Sequence, residues 1–343
     1  EGETDMVSFI EHLDRRWVFL MMALAVGIPI LLQQTFPEAV SPLAQSAFDE
    51  LDELPSGSKV LLSFDYDPGS EGELVPMATS FVHQCAEKGH KMYFMTLFPV
   101  GSQMITETID SVIKDFYPNL TYGVDFVDLG FKAGNEAVIK TIATDLIQYY
   151  TTDSRGTAIS KIPMMNGVGS LSDFDVLVNV SAGYPGCKEW VLYAATPLEK
   201  PLLVGCTGVS TPQMYPYYPN QVQGLLGAIK GAAEYEFIVN SWARTEQMRK
   251  ALEAGGMSAS ESEKQNQVFL DGNESASDWI AGIDVTPEAR AAFVTAANSK
   301  PPGPFTEALR RMSPQLVGHL LMIVLILMGN FVYFAARKRG GAA

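Results

Sequence analysis

Two acids spaced two residues apart, Asp65 and Asp67, follow the short apolar run Val60-Leu61-Leu62-Ser63-Phe64. Carboxylates at that spacing, just beyond a buried strand, suit two kinds of chemistry. One is metal-dependent hydrolysis using the carboxylate pair. The other is oxygen ligation of a divalent cation, magnesium or calcium, with Glu71 as a third donor. A structural reading stands beside both, because acids at the start of a helix cap its turn and oppose its dipole.

The Asp65-x-Asp67 pattern resembles the first motif of haloacid-dehalogenase-type phosphatases. The resemblance implies Asp65 as nucleophile, Asp67 as acid/base, Thr96 and Lys132 in the second and third motif roles, and magnesium as cofactor. The chain departs from the family after Asp67, where Pro68-Gly69-Ser70 replaces the usual Thr/Val. No acidic pair follows the fourth apolar run. Asp173 and Asp175 precede it instead, which leaves a magnesium ion short of ligands.

These residues must be positioned by the elements between them. Short apolar runs at 59–65, 91–98, 124–131, 176–182 and 201–206 read as strands. Helical patterns at 73–88, 102–116, 135–150, 187–196 and 222–239 alternate with them. Alternation of this kind predicts an α/β fold: a doubly wound, Rossmann-like, mainly parallel sheet of about five strands with helices on both faces. Such sheets take ligands at the carboxyl ends of their strands. Asp65, Asp67, Ser70, Gly101, Ser102, Lys132, Gly183, Thr207 and Ser210 are therefore the candidate ligand-binding residues. Tight βα turns alone would account for the glycines. A dinucleotide is disfavoured, since the first turn lacks G-x-G-x-x-G and places Glu71 and Glu73 where a pyrophosphate would sit. The chain has neither a P-loop nor a G-x-S-x-G elbow. Cys206 sits in a glycine-flanked turn, yet His83 falls mid-helix and His90 at the wrong end of a strand, so a Cys–His hydrolase is disfavoured. Cys187 and Cys206 lie where they could pair. The long interruption 153–175 carries Met164 and Met165, which predict that part of it packs down while it crosses the strand ends. Tyr215, Tyr217 and Tyr218, interleaved with prolines, form a candidate partner-binding loop.

Charge and hydropathy set the wider context. The 343 residues carry a formal charge of −15, which argues against general affinity for nucleic acid. Three cysteines make neither a disulfide framework nor a zinc site. Trp17–Leu32 and Leu316–Ala336 are uncharged apolar runs of membrane-spanning character. The residues after the first lack an obvious small-x-small cleavage site, so a span is expected in place of a removed leader. Met6, Phe9, Ile10 and Leu13 fall at helical spacing ahead of it, as in an interfacial helix. Ala23 and Gly27 make a small-xxx-small pair suited to helix packing. His319 and Asn330 lie inside the second span and are expected to hydrogen-bond between helices. Arg15 and Arg16 flank one outer end and Arg337-Lys338-Arg339 the other, while Arg310 and Arg311 weigh the opposite way; the positive-inside rule then places both termini in the cytoplasm.

The resulting organisation is an amphipathic segment at 1–16, spans at 17–35 and 313–336, a linker or helix at 36–58, the α/β domain at 59–240, a linker with a small helical segment at 241–312, and a basic tail at 337–343. A membrane-anchored, non-catalytic binding or assembly subunit is the leading expectation. Its partners would be the bilayer and other membrane subunits or a second copy. The alternatives are an anchored metal-dependent hydrolase using Asp65 and Asp67, and a small-ligand sensor using the strand-end cleft.

Overall fold

The computed structural model describes residues 14–33, 35–36, 38–298 and 305–340, with side chains through residue 334 in the last helix. The amphipathic helix expected at Met6–Leu13 and the end of the basic tail lie outside the described residues. The chain divides into two units, Glu38–Ala308 and the paired end segments Glu1–Pro37 with Leu309–Ala343.

Six strands form one parallel sheet: β1 (Lys59–Asp65), β2 (Lys91–Thr96), β3 (Phe126–Phe131), β4 (Val176–Ser181), β5 (Leu202–Cys206) and β6 (Gly224–Gly227). Their order is β3-β2-β1-β4-β5-β6, and every pairing is parallel. The α/β class is as expected, but the strand count is not. The sixth strand, Gly-Leu-Leu-Gly, occupies the first residues of what reads as a helix at 222–239, because its leucines continue the helical period that follows. Its glycine has a packing reason. A Cβ on Gly224 would lie 2.3 Å from the Ala47 Cα, so helix α2 (Pro42–Asp52) rests its backbone directly on this edge.

Helices cover both faces. On one, Leu61, Tyr93, Val127 and Leu177 pack with Val138, Ile139 and Ile142 of α5 (Glu136–Ile142) and with Trp190 of α7 (Cys187–Trp190), a helix that continues as a π-turn and α8 (Thr196–Leu198). On the other, α3 (Glu71–Lys88) buries Leu74, Met77, Phe81 and Val82, each worth about 1.5–3 kcal/mol of transfer free energy. Between these helices, α4 (Gly101–Thr108) follows β2, α6 (Leu146–Tyr149) follows α5, and α9 (Thr211–Met214) follows β5. The 153–175 segment starts at the carboxyl end of β3, where Ser154 N–H donates to the Asp128 carbonyl, and descends the sheet face. Met164 and Met165 are buried as expected, and the Tyr93 hydroxyl donates to the Met164 carbonyl at 2.6 Å. The segment reaches the amino end of β1, where Lys59 Nζ donates to the Gly167 carbonyl at 3.4 Å; only its start lies at the strand ends.

α10 (Ala228–Ala254) leaves β6 at the carboxyl edge and runs unbroken past residue 240, the expected domain boundary. α11 (Ala259–Asp271), α12 (Ala276–Ala281) and α13 (Pro287–Asn298) follow. They build a second small core around Leu252, Ile280 and Phe293, with Trp279 stacked on Phe293 at 5.1 Å. Residues 255–272, which read as a polar linker, are thus largely helical. Thr286 caps α13, accepting from Ala289 N–H at 3.3 Å, as its Thr-Pro-Glu start predicts.

The end segments hold α1 (Arg15–Leu32) and α14 (Glu307–Gly340), both long and apolar enough to cross a membrane. They meet near Val26 and Gly318, where a Cβ on the glycine would lie 3.5 Å from the valine methyl. The expected small-residue pair is not the contact: Ala23 is exposed, and a Cβ on Gly27 would meet nothing within 4 Å. Asn330 donates to the Ile326 carbonyl of its own helix at 2.9 Å, where an interhelical bond was expected.

Candidate functional site

The strand order reverses between β1 and β4, the switch point at which open α/β sheets hold their ligands. Asp65 ends β1 at this point, and its carboxylate has no solvent exposure. Four donors converge on it. Leu97 N–H, just beyond β2, donates to Oδ1 at 2.7 Å. Ser63 Oγ at 2.8 Å, Asn179 Nδ2 at 2.7 Å and Trp190 Nε1 at 3.0 Å all donate to Oδ2. β1, the β2 loop, β4 and α7 are thereby tied through one side chain. Burial raises the Asp65 carboxyl to about 6, and the four hydrogen bonds pull against that rise. Tyr150 lies near enough to feel this charge, and its own buried hydroxyl is raised by burial first and by Asp65 and Asp128 after it.

Asp67 does not join this knot. It is exposed at the start of the Pro68–Ser70 turn, and Glu71 is exposed at the first residue of α3. Among the described residues no group of three His, Cys, Asp or Glu could hold a metal ion, so Asp65, Asp67 and Glu71 do not assemble as the expected divalent-cation site. The exposed pair keeps the alternative role of acids at a helix start. Thr96 is buried and shapes the β2 loop: its Oγ1 accepts from Phe98 N–H at 3.0 Å. Gly101 is required there, since a Cβ would fall 2.1 Å from that hydroxyl and 2.7 Å from the Phe64 carbonyl.

Lys132 is half-buried, with Nζ 5.1 Å from the centre of the Tyr150 ring. Gly183 is exposed at φ +88°, a backbone region that favours glycine. Thr207 Oγ1 donates to Ser210 Oγ at 3.3 Å, and both residues are partly exposed, as are Ser70 and Ser102. Two ties bridge the loops. The Tyr184 hydroxyl donates to Glu136, linking the β4 loop to α5, and Gly208 N–H donates to Glu73 at 2.8 Å, linking the β5 loop to α3. The arrangement is a sealed polar floor under a rim of accessible small and polar residues. Asp65 faces the protein's own donors from that floor, and the rim residues are the ones solvent reaches.

Cys187 and Cys206 are free and buried. The Cys187 thiol lies 2.9 Å from Ser181 Oγ and 3.6 Å from the Gly205 carbonyl, and burial pushes it well above the usual thiol range. In the tyrosine loop, Tyr217 packs on the sheet core and Tyr218 Oη lies 3.0 Å from Ser46 Oγ of α2, which leaves Tyr215 as the exposed member. A cavity of about 360 Å³ opens at the opposite, amino ends of the strands, lined by Lys59, Lys91, Tyr93 and Met164.

Sequence reasoning missed Ser63, Asn179 and Trp190. The signal was present: a Ser and an Asn each interrupt a run that is otherwise buried and apolar, and a buried polar group demands a partner. No family model, no curated protein and no solved structure matches this chain.

Proposed function

We propose that the chain is a membrane-anchored, non-catalytic binding and assembly subunit, crossing the bilayer twice with both termini cytoplasmic and its α/β unit extracytoplasmic. The observation that carries the non-catalytic reading is the Asp65 knot. The carboxylate that ends β1 at the switch point is wholly buried and held by four internal donors, which turns it towards the protein's own groups and away from a substrate or an ion. The strand order 3-2-1-4-5-6 supports a Rossmann-like description, and Glu71 and Glu73 at the first helix start keep a dinucleotide disfavoured. Two apolar helices of spanning length support the anchoring, and the basic residues at their outer ends support the orientation.

One further feature suits an assembly role. α10 holds both segments through which the chain enters and leaves the α/β unit. Lys230 pairs with Glu38 at 2.5 Å, and Glu234 accepts from Ser41 N–H at 3.1 Å and from its hydroxyl. Glu236 accepts from Ala308 N–H at 3.1 Å, and Asn240 Nδ2 donates to the Phe305 carbonyl at 2.6 Å. The same helix begins at the strand-end rim, where Ala228 abuts Gly208. This favours a second reading, a small-ligand sensor whose rim and linkers share one helix.

Native mass measurement of the protein gently extracted from its own membrane separates these readings. A mass well above one chain plus detergent supports the assembly reading. A clean monomer removes it and leaves the sensor, whose rim is then screened by thermal shift against small anions and metabolites.

A further inference from the structure

The last apolar span, Leu316–Ala336, contains three side chains able to hydrogen-bond: His319, Asn330 and Tyr333. They are not scattered. Asn330 lies eleven residues beyond His319, about three turns, and so returns to nearly the same face. With Ile323, Ile326 and Tyr333 the spacing is +4, +3, +4, +3, a heptad seam. All five residues are exposed in the single chain, Ile326 and Tyr333 at 61% each.

The helix already has a partner on another face. Pro314 and Gly318 are buried, and Val317, Leu321, Leu325, Met328 and Val332 are partly so. These residues form their own 3.5-residue repeat, about 150° around the helix from the polar seam. It is the face that meets α1 at Val26. Every polar side chain of the span therefore avoids α1.

In a bilayer such a face is covered either by lipid tails or by another helix. Lipid offers an amide nothing, and Asn330 Nδ2 uses one of its two hydrogens on the Ile326 carbonyl. The remaining hydrogen and Oδ1 are self-complementary across a two-fold axis, so Asn330 can bond Asn330. An uncharged imidazole at 319 has the same donor–acceptor pairing. We infer that α14 pairs in parallel with α14 of a second copy through His319, Ile323, Ile326, Asn330 and Tyr333, giving a two-fold dimer within the membrane. This rests on the membrane-anchored reading above and names one partner for it: the chain itself.

The test is disulfide cross-linking of the full chain in its native membrane, after alkaline carbonate washing. Ile326→Cys or Ile323→Cys, oxidised with copper phenanthroline, is expected to give a product of twice the chain mass. Leu325→Cys, on the face turned to α1, is expected to stay single. Adding Asn330→Leu to Ile326→Cys should cut the dimer about threefold or more, and Asn330→Gln should restore it. Equal cross-linking from residues 325 and 326, a product containing a different chain, or no product from a chain that stays in washed membranes overturns the dimer alone. Release of the chain by carbonate overturns the anchoring itself.

Discussion

Asp65 and Glu236 are both wholly buried carboxylates of the α/β unit, yet one ties strands to one another and the other ties down the chain's exit. Around Asp65 three of the four partners are side chains, two of them from the middle of the sheet, and removing it would open the centre. Around Glu236 and its neighbours Glu234 and Asn240, the partners include backbone groups and a serine of two linking segments at the edge of the unit, with Lys230 of the same helix beside Glu234. A buried charge is tolerated in either place because donors face it. The difference lies in what depends on it: global stability at the first centre, local attachment at the second.

The sharpest way to break that comparison is Asp65→Ala. Leu97 N–H, Ser63, Asn179 and Trp190 would face an empty space, and each stranded buried donor costs about 1–3 kcal/mol. A loss of about 4 kcal/mol or more is expected in urea unfolding followed by tryptophan fluorescence, most of the stability of a domain at the low end of the ordinary range. A loss below about 1 kcal/mol would mean that the knot is ornamental and that Asp65 is free for another task.

Charge titration sharpens the same contrast, because each region contains a buried group that moves in its own direction. Asp65 is raised to about 6 by burial. The folded state therefore keeps a proton that the unfolded chain has lost, and its contribution to stability falls as pH rises from about 4 to 6. His83 lies beside the exit segment, 4.8 Å from the Phe305 ring, and burial lowers it to about 4. There the unfolded chain binds the extra proton, so stability is lost as pH falls from about 6.5 towards 4. Each effect is of order 3 kcal/mol, and they oppose one another over nearly the same window. Subtracting Asp65→Asn from wild type should give a falling curve between pH 4 and 6, and subtracting His83→Phe a rising one. Two curves of the same sign would refute the assigned environments.

How much of this was legible follows from where the hydrophobic period is written. β1 to β5 announce themselves as apolar runs bounded by turn residues, and the parallel sheet follows. β6 does not, because two leucines between glycines cannot outweigh the long helix they precede. α11 is hidden for a different reason. Its inward face is Ser262, Asn266 and Phe269, with Asn266 Nδ2 donating to the Thr245 carbonyl at 2.8 Å, so the helical repeat is carried by polar residues. Its start was nonetheless signalled by Ser258 and Glu261, a capping pair. At the switch point Asp65 is visible as an acid after a strand. Its burial is set by residues 114 and 125 positions away, Asn179 and Trp190, and no local pattern reveals that.

Glu236→Ala should show the second kind of centre. A cost of about 2 kcal/mol is expected from the stranded Ala308 N–H and the lost packing. The diagnostic is spatial: amide exchange at Phe305–Ala308 should rise at least about tenfold while β1 and β4 stay protected. Exchange that spreads into β1 would show that the exit segment and the sheet centre are one cooperative structure, and the contrast between the two carboxylates would collapse.

The smallest effect belongs to the rim above the Asp65 floor. Tyr184 and Glu136 bridge the β4 loop and α5 in solvent, and the hydroxyl holds the Glu136 carboxyl below its usual range. Such exposed contacts contribute little to unfolding. Tyr184→Phe is therefore expected to leave the urea midpoint unchanged while amide exchange at Gly183 and Gly186 quickens. A floor that is rigid beneath a rim that opens separately is the arrangement a binding site needs, since ligand entry can then be gated without loosening the sheet. If Tyr184→Phe instead lowers the midpoint, rim and floor unfold together, and the strand ends are a structural closure with no independent mouth.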